Sequence, residues 1–147
     1  MVKITPKTKA WQAYARYCKV KGCLETTGFA FLGVCITCKR RFHMESLDAG
    51  HAISGRRNAV LFNTQIIYPQ CDFCNRQQNG RIKLYQKILA EMHGQEWMDQ
   101  QKIRAKRNIK DINIDFVKME HGFNKAYKRM MEQHGFHTWG QLLQMGR

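Results

Sequence analysis

Two short segments, Cys35-Ile36-Thr37-Cys38 and Cys71-Asp72-Phe73-Cys74, decide the fold of this 147-residue chain. In each segment two residues separate the cysteines, a spacing at which both thiolates can face one metal ion. Two such pairs complete a tetrahedral site of four thiolates, and we expect structural Zn²⁺ there. The alternatives are a redox-active pair and incidental buried thiols. Redox chemistry is disfavoured because there are two pairs and no βαβ pattern around them.

The residues between the two cysteine pairs predict two strands joined by a long loop. The first strand carries His51, and the second covers Ile66–Tyr68 and is ended by Pro69. A helix is predicted to open at Asn75, directly after the second pair. This order is typical of a ββα-metal nuclease in which zinc joins the hairpin to the helix. Zinc would replace the hydrophobic core that a motif of about 40 residues cannot build alone.

The segment before the first cysteine pair predicts a helix over residues 6–20. Thr5 can cap this helix, and Pro6 occupies its first position. Its apolar residues follow the helical spacing i, i+3, i+4, i+7, and we assign this face to the core: Trp11, Tyr14, Ala15 and Cys18.

The segment after the second cysteine pair predicts mostly helix. The predicted helices cover 81–92, 95–107 and 111–133, and a last short helix begins at Thr138. The third carries an apolar stripe, Phe116, Met119, Phe123, Tyr127 and Met130, which indicates either core packing or a dimer seam.

These elements predict an α+β fold with a small zinc-stabilised ββα-metal (HNH) core flanked by N-terminal and C-terminal helices. The expected parts are a basic helix and connector over 1–34, a nuclease core over 35–93, and a basic helical region over 94–147 for DNA contact or dimerisation.

The charge of the chain predicts a polyanionic partner. Twenty-five lysines and arginines face 11 aspartates and glutamates, giving a net charge of +14. The basic residues are spread along the chain, which favours nucleic acid over a membrane surface. The longest apolar stretch, over 29–35, is far below the roughly 20 residues that a membrane span needs. The first residues lack the apolar region of a secretory signal, so we expect a cytoplasmic protein.

Several motifs together resemble a known family. They are Lys9-Ala10-Trp11 with Tyr14, Cys35-Ile36-Thr37-Cys38, Asp48-Ala49-Gly50-His51, Ile53-Ser54, Arg56-Arg57-Asn58-Ala59, Phe62, and Gln70-Cys71-x-x-Cys74-Asn75-Arg76 with Tyr85 and Leu89. On these residues the segment 8–100 resembles the NinG/Rap recombination nucleases of lambdoid phages, a branch of the HNH superfamily. The residues after 100 match no family that we recognise.

The resemblance implies a phage endonuclease that acts in the bacterial cytoplasm on branched recombination intermediates such as Holliday junctions, D-loops and forks. It implies His51 as general base and puts Asn75 at the ligand position for a catalytic Mg²⁺ or Mn²⁺. Asp48 is our candidate for the ligand from the strand side. Taken alone, His51 reads as an ordinary histidine, Asn75 as a helix N-cap and Asp48 as a turn residue. The candidate DNA-binding residues are Arg56, Arg57, Arg76, Arg81, Lys102, Arg104, Lys106 and Arg107.

Two positions depart from the pattern of the wider HNH superfamily. Many HNH enzymes place Asp or His immediately before the base, whereas this chain has Gly50. The asparagine that usually fixes the loop bearing the base is replaced by Ile66, and Asn58 or Asn63 is a candidate substitute.

Two other hypotheses stay open, and Gly50 and Ile66 favour the first of them. One is a zinc-containing junction-binding protein or recombination mediator without turnover. The other is an RNA-binding zinc module, although the chain carries no RRM, KH or dsRBD signature. A homodimer and host or phage recombination proteins are further candidate partners.

Overall fold

A computed structural model describes residues 3–135 and 139–145, and the α+β class is confirmed. The helices are α1 (Pro6–Thr27), α2 (Ile82–His93), α3 (Gln95–Arg104), α4 (Phe116–Gln133) and α5 (Trp139–Gln144). The strands are β1 (Leu32–Val34), β2 (Arg41–His43), β3 (Leu47–His51) and β4 (Ile67–Cys71). The predicted cap of the last helix, Thr138, lies outside the described residues. No helix in the described parts is both long and apolar enough to cross a bilayer.

Helix α1 begins as predicted but is longer. The Thr5 hydroxyl accepts a hydrogen bond from the Thr8 amide at 3.2 Å, and Pro6 is the first helical residue. The helix continues beyond residue 20, through Gly22, and ends before Gly28 at a φ of 79°. Gly22 serves close packing, because a Cβ there would lie 2.2 Å from Cδ of Pro69. The glycine therefore lets α1 lie directly against β4.

The strands form two separate antiparallel pairs, β1 with β2 and β3 with β4. In the second pair Leu47 faces Cys71 and His51 faces Ile67. The prediction that Pro69 ends the second strand is wrong, because β4 continues to Cys71. The Pro69 carbonyl accepts a hydrogen bond from the amide of Ile36, outside the pair. A proline is tolerated on an edge strand where its missing N–H does not face the partner strand.

Helix α4 packs along α1, with Tyr127 of the apolar stripe buried and the other stripe residues half-buried. The ring of Phe123 lies 5.3 Å from that of Tyr14 and 5.6 Å from that of Tyr17. The guanidinium of Arg16 lies over the ring of Tyr127 at 4.2 Å. Of the two interpretations of the stripe, core packing is the one these contacts support.

Candidate functional site

The four paired cysteines come together in one cluster. Their sulfur atoms all lie within 4.8 Å of one another, and the sulfurs of Cys38 and Cys71 are 3.8 Å apart. A tetrahedral ion with Zn–S bonds of about 2.3 Å requires sulfur separations of about 3.8 Å. Cys35, Cys38, Cys71 and Cys74 could therefore hold a structural metal ion such as zinc. Cys18 is buried away from this group, as predicted.

Thr37 and Gln70 support the cysteine cluster from outside. The Thr37 hydroxyl lies 3.4 Å from the Cys35 sulfur and also accepts a hydrogen bond from the Gln70 amide at 3.1 Å. Burial raises the pKa of the Cys35 thiol, but hydrogen bonds from the Cys38 backbone and from Thr37 outweigh burial and hold the pKa at about 6. These hydrogen bonds favour the thiolate, which is the form that binds metal.

A cleft of about 370 Å³ lies beside the cluster and contains both His51 and Asn75. His51 is the last residue of β3. Asn75 lies in a helical turn, Phe73–Gln77, that starts within the second cysteine pair, two residues earlier than the predicted helix. The cysteine cluster thus ties the element that carries Asn75 to the strand pair that carries His51. Trp11 and Arg56 also line the cleft.

The ring of His51 is held in one tautomer. Its Nε2 lies 2.8 Å from the carbonyl oxygen of Leu61. A carbonyl oxygen only accepts hydrogen bonds, so Nε2 carries the proton and Nδ1 keeps its lone pair. Burial, and to a smaller extent the charge of Arg56, lowers the pKa of His51 to about 4. The imidazole is therefore neutral at physiological pH, as a general base must be.

Trp11 contacts His51 directly, which the sequence reasoning missed. The indole is stacked on the imidazole, with centroids 5.0 Å apart and an angle of 21° between the rings. The guanidinium of Arg56 lies 5.0 Å from the indole centroid. Trp11 packs against the core cluster of Tyr14 and Cys18, as predicted, but it is only partly buried and also lines the cleft. Helical spacing places Trp11 on the same face as Tyr14 and Cys18, so it could not show that Trp11 contacts His51. The motif Lys9-Ala10-Trp11 was the only sign in the sequence that Trp11 has a separate role.

Asp48 contacts Asn75 but does not line the cleft. One of its carboxylate oxygens accepts a hydrogen bond from the Asn75 amide at 3.1 Å. Arg76 forms a salt bridge of 3.2 Å with Asp48 and another of 3.2 Å with Asp72. Side chains alternate between the faces of a strand, so Asp48 and His51 point to opposite faces of β3. Asn75 lines the cleft together with His51 and also contacts Asp48 on the other face of β3.

The structure gives a physical reason for Gly50. A Cβ at this position would lie 2.3 Å from the Gln70 side-chain oxygen and 2.8 Å from the Gln70 Cβ. Gln70 is fully buried and donates hydrogen bonds to Thr37 and, at 2.8 Å, to the Gly80 carbonyl. A side chain at position 50 is therefore excluded by Gln70.

Asn58 fixes the loop between β3 and β4. Its amide donates to the carbonyl oxygens of Ser54 at 3.3 Å and Gly55 at 2.7 Å, and its oxygen accepts from the Val60 amide at 3.1 Å. The next residue, Leu61, holds the ring of His51. Ile66 is completely buried and contributes only apolar packing. Asn58 and Asn63 were the two candidates to replace the usual asparagine. Asn58 contacts Val60, the residue next to Leu61, whose carbonyl holds the ring of His51.

The candidate DNA-binding residues fall into three groups. Arg56, Arg57, Lys106 and Arg107 line one groove beside the cleft. Arg76 is paired with acidic groups, and Arg81 lies over the ring of Phe73 at 5.7 Å. Lys102 and Arg104 are exposed on α3.

Comparison with known proteins identifies one family. The family model described as Bacteriophage Lambda NinG protein matches residues 9–133. The match extends through α4 and so includes residues after 100 that the sequence analysis had left unassigned. No curated protein and no solved structure matches the chain. Because the match covers most of its length, the chain belongs to the bacteriophage lambda NinG family.

Proposed function

We propose that the chain is a metal-dependent endonuclease of the HNH type that cuts branched DNA during phage recombination. The observation that carries this proposal is the pairing of a neutral His51, fixed in one tautomer, with Asn75 in a cleft beside four clustered cysteines. Family membership supports the role in phage recombination. The net charge of +14 supports DNA as the substrate.

In the proposed mechanism His51 acts as the general base. Its Nδ1 takes a proton from the water that attacks the scissile phosphate, while the Leu61 carbonyl holds the protonated Nε2. Arg56 places a positive charge at the cleft, where it can attract the phosphodiester.

Asn75 would hold the catalytic Mg²⁺ or Mn²⁺ in the cleft through its side-chain oxygen, the ligand type that these ions prefer. Asp48, on the other face of β3, would position Asn75 by accepting its hydrogen bond at 3.1 Å rather than contact the ion. When bound, the ion stabilises the charge that develops on the phosphate and on the leaving oxygen. The hydrogen bond from the Asn75 amide to Asp48 leaves the Asn75 oxygen available as a ligand.

A second candidate function is junction binding without cleavage. It is favoured by the position of Asp48, which is engaged by Arg76 and Asn75 on the face of β3 opposite His51. Such a protein would act as a recombination mediator, and other recombination proteins would be its partners. Symmetric cleavage of a four-way junction would instead require two copies of the chain, so the nuclease proposal includes a homodimer on that substrate.

A cleavage assay distinguishes the two candidates. End-labelled linear duplex, fork, D-loop and four-way junction would be incubated with the full chain in Mg²⁺, in Mn²⁺ and without either ion. The nuclease proposal expects metal-dependent cuts near the branch. Tight, salt-dependent binding without cuts in either ion would favour the junction-binding protein. Stronger competition by RNA than by junction DNA would contradict both.

A further inference from the structure

A groove of about 450 Å³ lies next to the cleft and is formed by two distant parts of the chain. One wall is the loop over 55–58, and the other is the segment over 105–108 that follows α3. Gly55 and Arg56 line both the groove and the cleft that holds His51. A strand of nucleic acid bound in the cleft therefore has a continuous path into the groove.

Backbone hydrogen bonds join the two walls. The Ala59 amide donates to the Arg107 carbonyl at 3.0 Å, and the Ile109 amide donates to the Arg57 carbonyl at 2.6 Å. Asn58 and Asn108 pair as an isolated antiparallel bridge. These main-chain hydrogen bonds hold the two walls of the groove together. They also fix the backbone that carries the basic side chains.

Six cations surround this groove. They are Lys7, Arg56, Arg57, Lys106, Arg107 and Lys110. The Lys7 ammonium donates to the Arg56 carbonyl at 2.7 Å, which places α1 at the rim. Burial, followed by the charges of Arg57, Arg56 and Lys110, lowers the pKa of Lys7. In the described part of the chain none of the six forms a salt bridge with an acidic residue.

Like charges gathered without counter-charges repel one another and destabilise the folded protein, and a bound polyanion removes this repulsion. We infer that the groove is a second phosphate-binding site, which holds the DNA backbone beside the scissile phosphate. The inference rests on the proposed function, because it takes DNA as the substrate. The inference assigns Lys7 and Lys110 to the DNA interface. It excludes Arg76 from that interface, because Arg76 forms salt bridges with Asp48 and Asp72.

Two triple variants test the groove. One is Arg57→Ala with Lys106→Ala and Arg107→Ala. The matched control is Lys125→Ala with Lys128→Ala and Arg129→Ala, which removes the same charge from exposed positions on α4. Both would be made in a His51→Ala background, and their melting temperatures compared first. Binding to a fluorescent duplex and a fluorescent four-way junction would be followed by anisotropy across a salt series.

The groove variant is expected to lose at least tenfold in affinity. Its salt slope is expected to fall by about 2 to 3, because each lost phosphate contact removes about 0.9 from the slope. The control variant is expected to change the DNA affinity and the salt slope much less. Equal effects of the two variants, or an unchanged slope in the groove variant, would overturn the inference. Cleavage of DNA by the parent chain is measured separately, so a failure of the proposed nuclease remains distinguishable from a failure of the groove.

Discussion

At the scale of single residues, His51 is controlled by two neighbours that act on different properties of its ring. The Leu61 carbonyl selects the tautomer, and the stacked indole of Trp11 keeps water from one face. Burial is the main cause of the low pKa of His51, about 4. Trp11 is therefore expected to act through the pKa of His51 rather than by contact with the scissile phosphate.

Replacing Trp11 with alanine is expected to raise the pKa of His51 by about one unit, because water would reach the ring and stabilise its charged form. The acid limb of the cleavage rate would then move to higher pH, since His51 must be neutral to act as a base. Trp11→Phe keeps an aromatic ring and should give a smaller shift. NMR titration of the His51 ring measures the pKa without any need for activity. An unchanged pKa in Trp11→Ala would contradict this role.

The extent to which the site could be predicted also differs between residues. The four cysteines follow from residue type and spacing along the sequence, whereas the pairing of His51 with Asn75 was implied by the family resemblance. The stacking of Trp11 could not be predicted, because it depends on how α1 is rotated against β3. The position of Asp48 on the opposite face of β3 follows from strand alternation only once the bounds of the strand are known.

At the scale of elements, the cysteine cluster connects several short segments of the chain. Strands β1 and β2 have three residues each, and the turn that carries Asn75 has five. The start of the helical turn at Asn75 was predicted within two residues, whereas the ends of α1 and β4 were misplaced. Gly22 and Pro69 normally interrupt regular structure, but here they pack against each other. Such a tertiary contact cannot be recognised from either residue alone.

Removal of the metal is expected to destabilise the fold strongly. A strong chelator, or Cys71→Ser, should lower the melting temperature by about 10 °C or more, because structural zinc contributes several kcal/mol to folding. Zinc content should fall from one ion per chain to none. Cys18→Ala is the matched control, since Cys18 is buried outside the cluster and should leave the zinc content unchanged. Identical melting with and without chelator would contradict the structural role of the metal.

At the scale of the whole molecule, helices α1 and α4 are far apart in the sequence but pack against each other. Helix α4 packs along α1, and α1 in turn supplies Trp11 to the cleft and contacts β1 and β4. We therefore expect residues 116–133 to be required to hold the wall of the cleft. The match of the family through residue 133 agrees with a fold that includes α4.

A chain ending at residue 115 is expected to lose cooperative unfolding, because the aromatic face of α1 at Tyr14 and Tyr17 would be exposed. A chain ending at residue 135 retains α4 and should keep a single transition. Thermal and urea unfolding followed by circular dichroism would compare the two. Full stability of the shorter chain would show that α1 does not depend on α4.

The central claim is that the cleft containing His51 is a nuclease centre. Single-turnover cleavage of the preferred branched substrate by His51→Ala tests this claim most directly. The matched control is His43→Ala, which removes a histidine at the end of β2, outside the cleft. We predict that His51→Ala lowers the rate at least about 100-fold with unchanged DNA affinity, while His43→Ala retains the rate. Cleavage by His51→Ala within a few-fold of the parent rate would contradict the account.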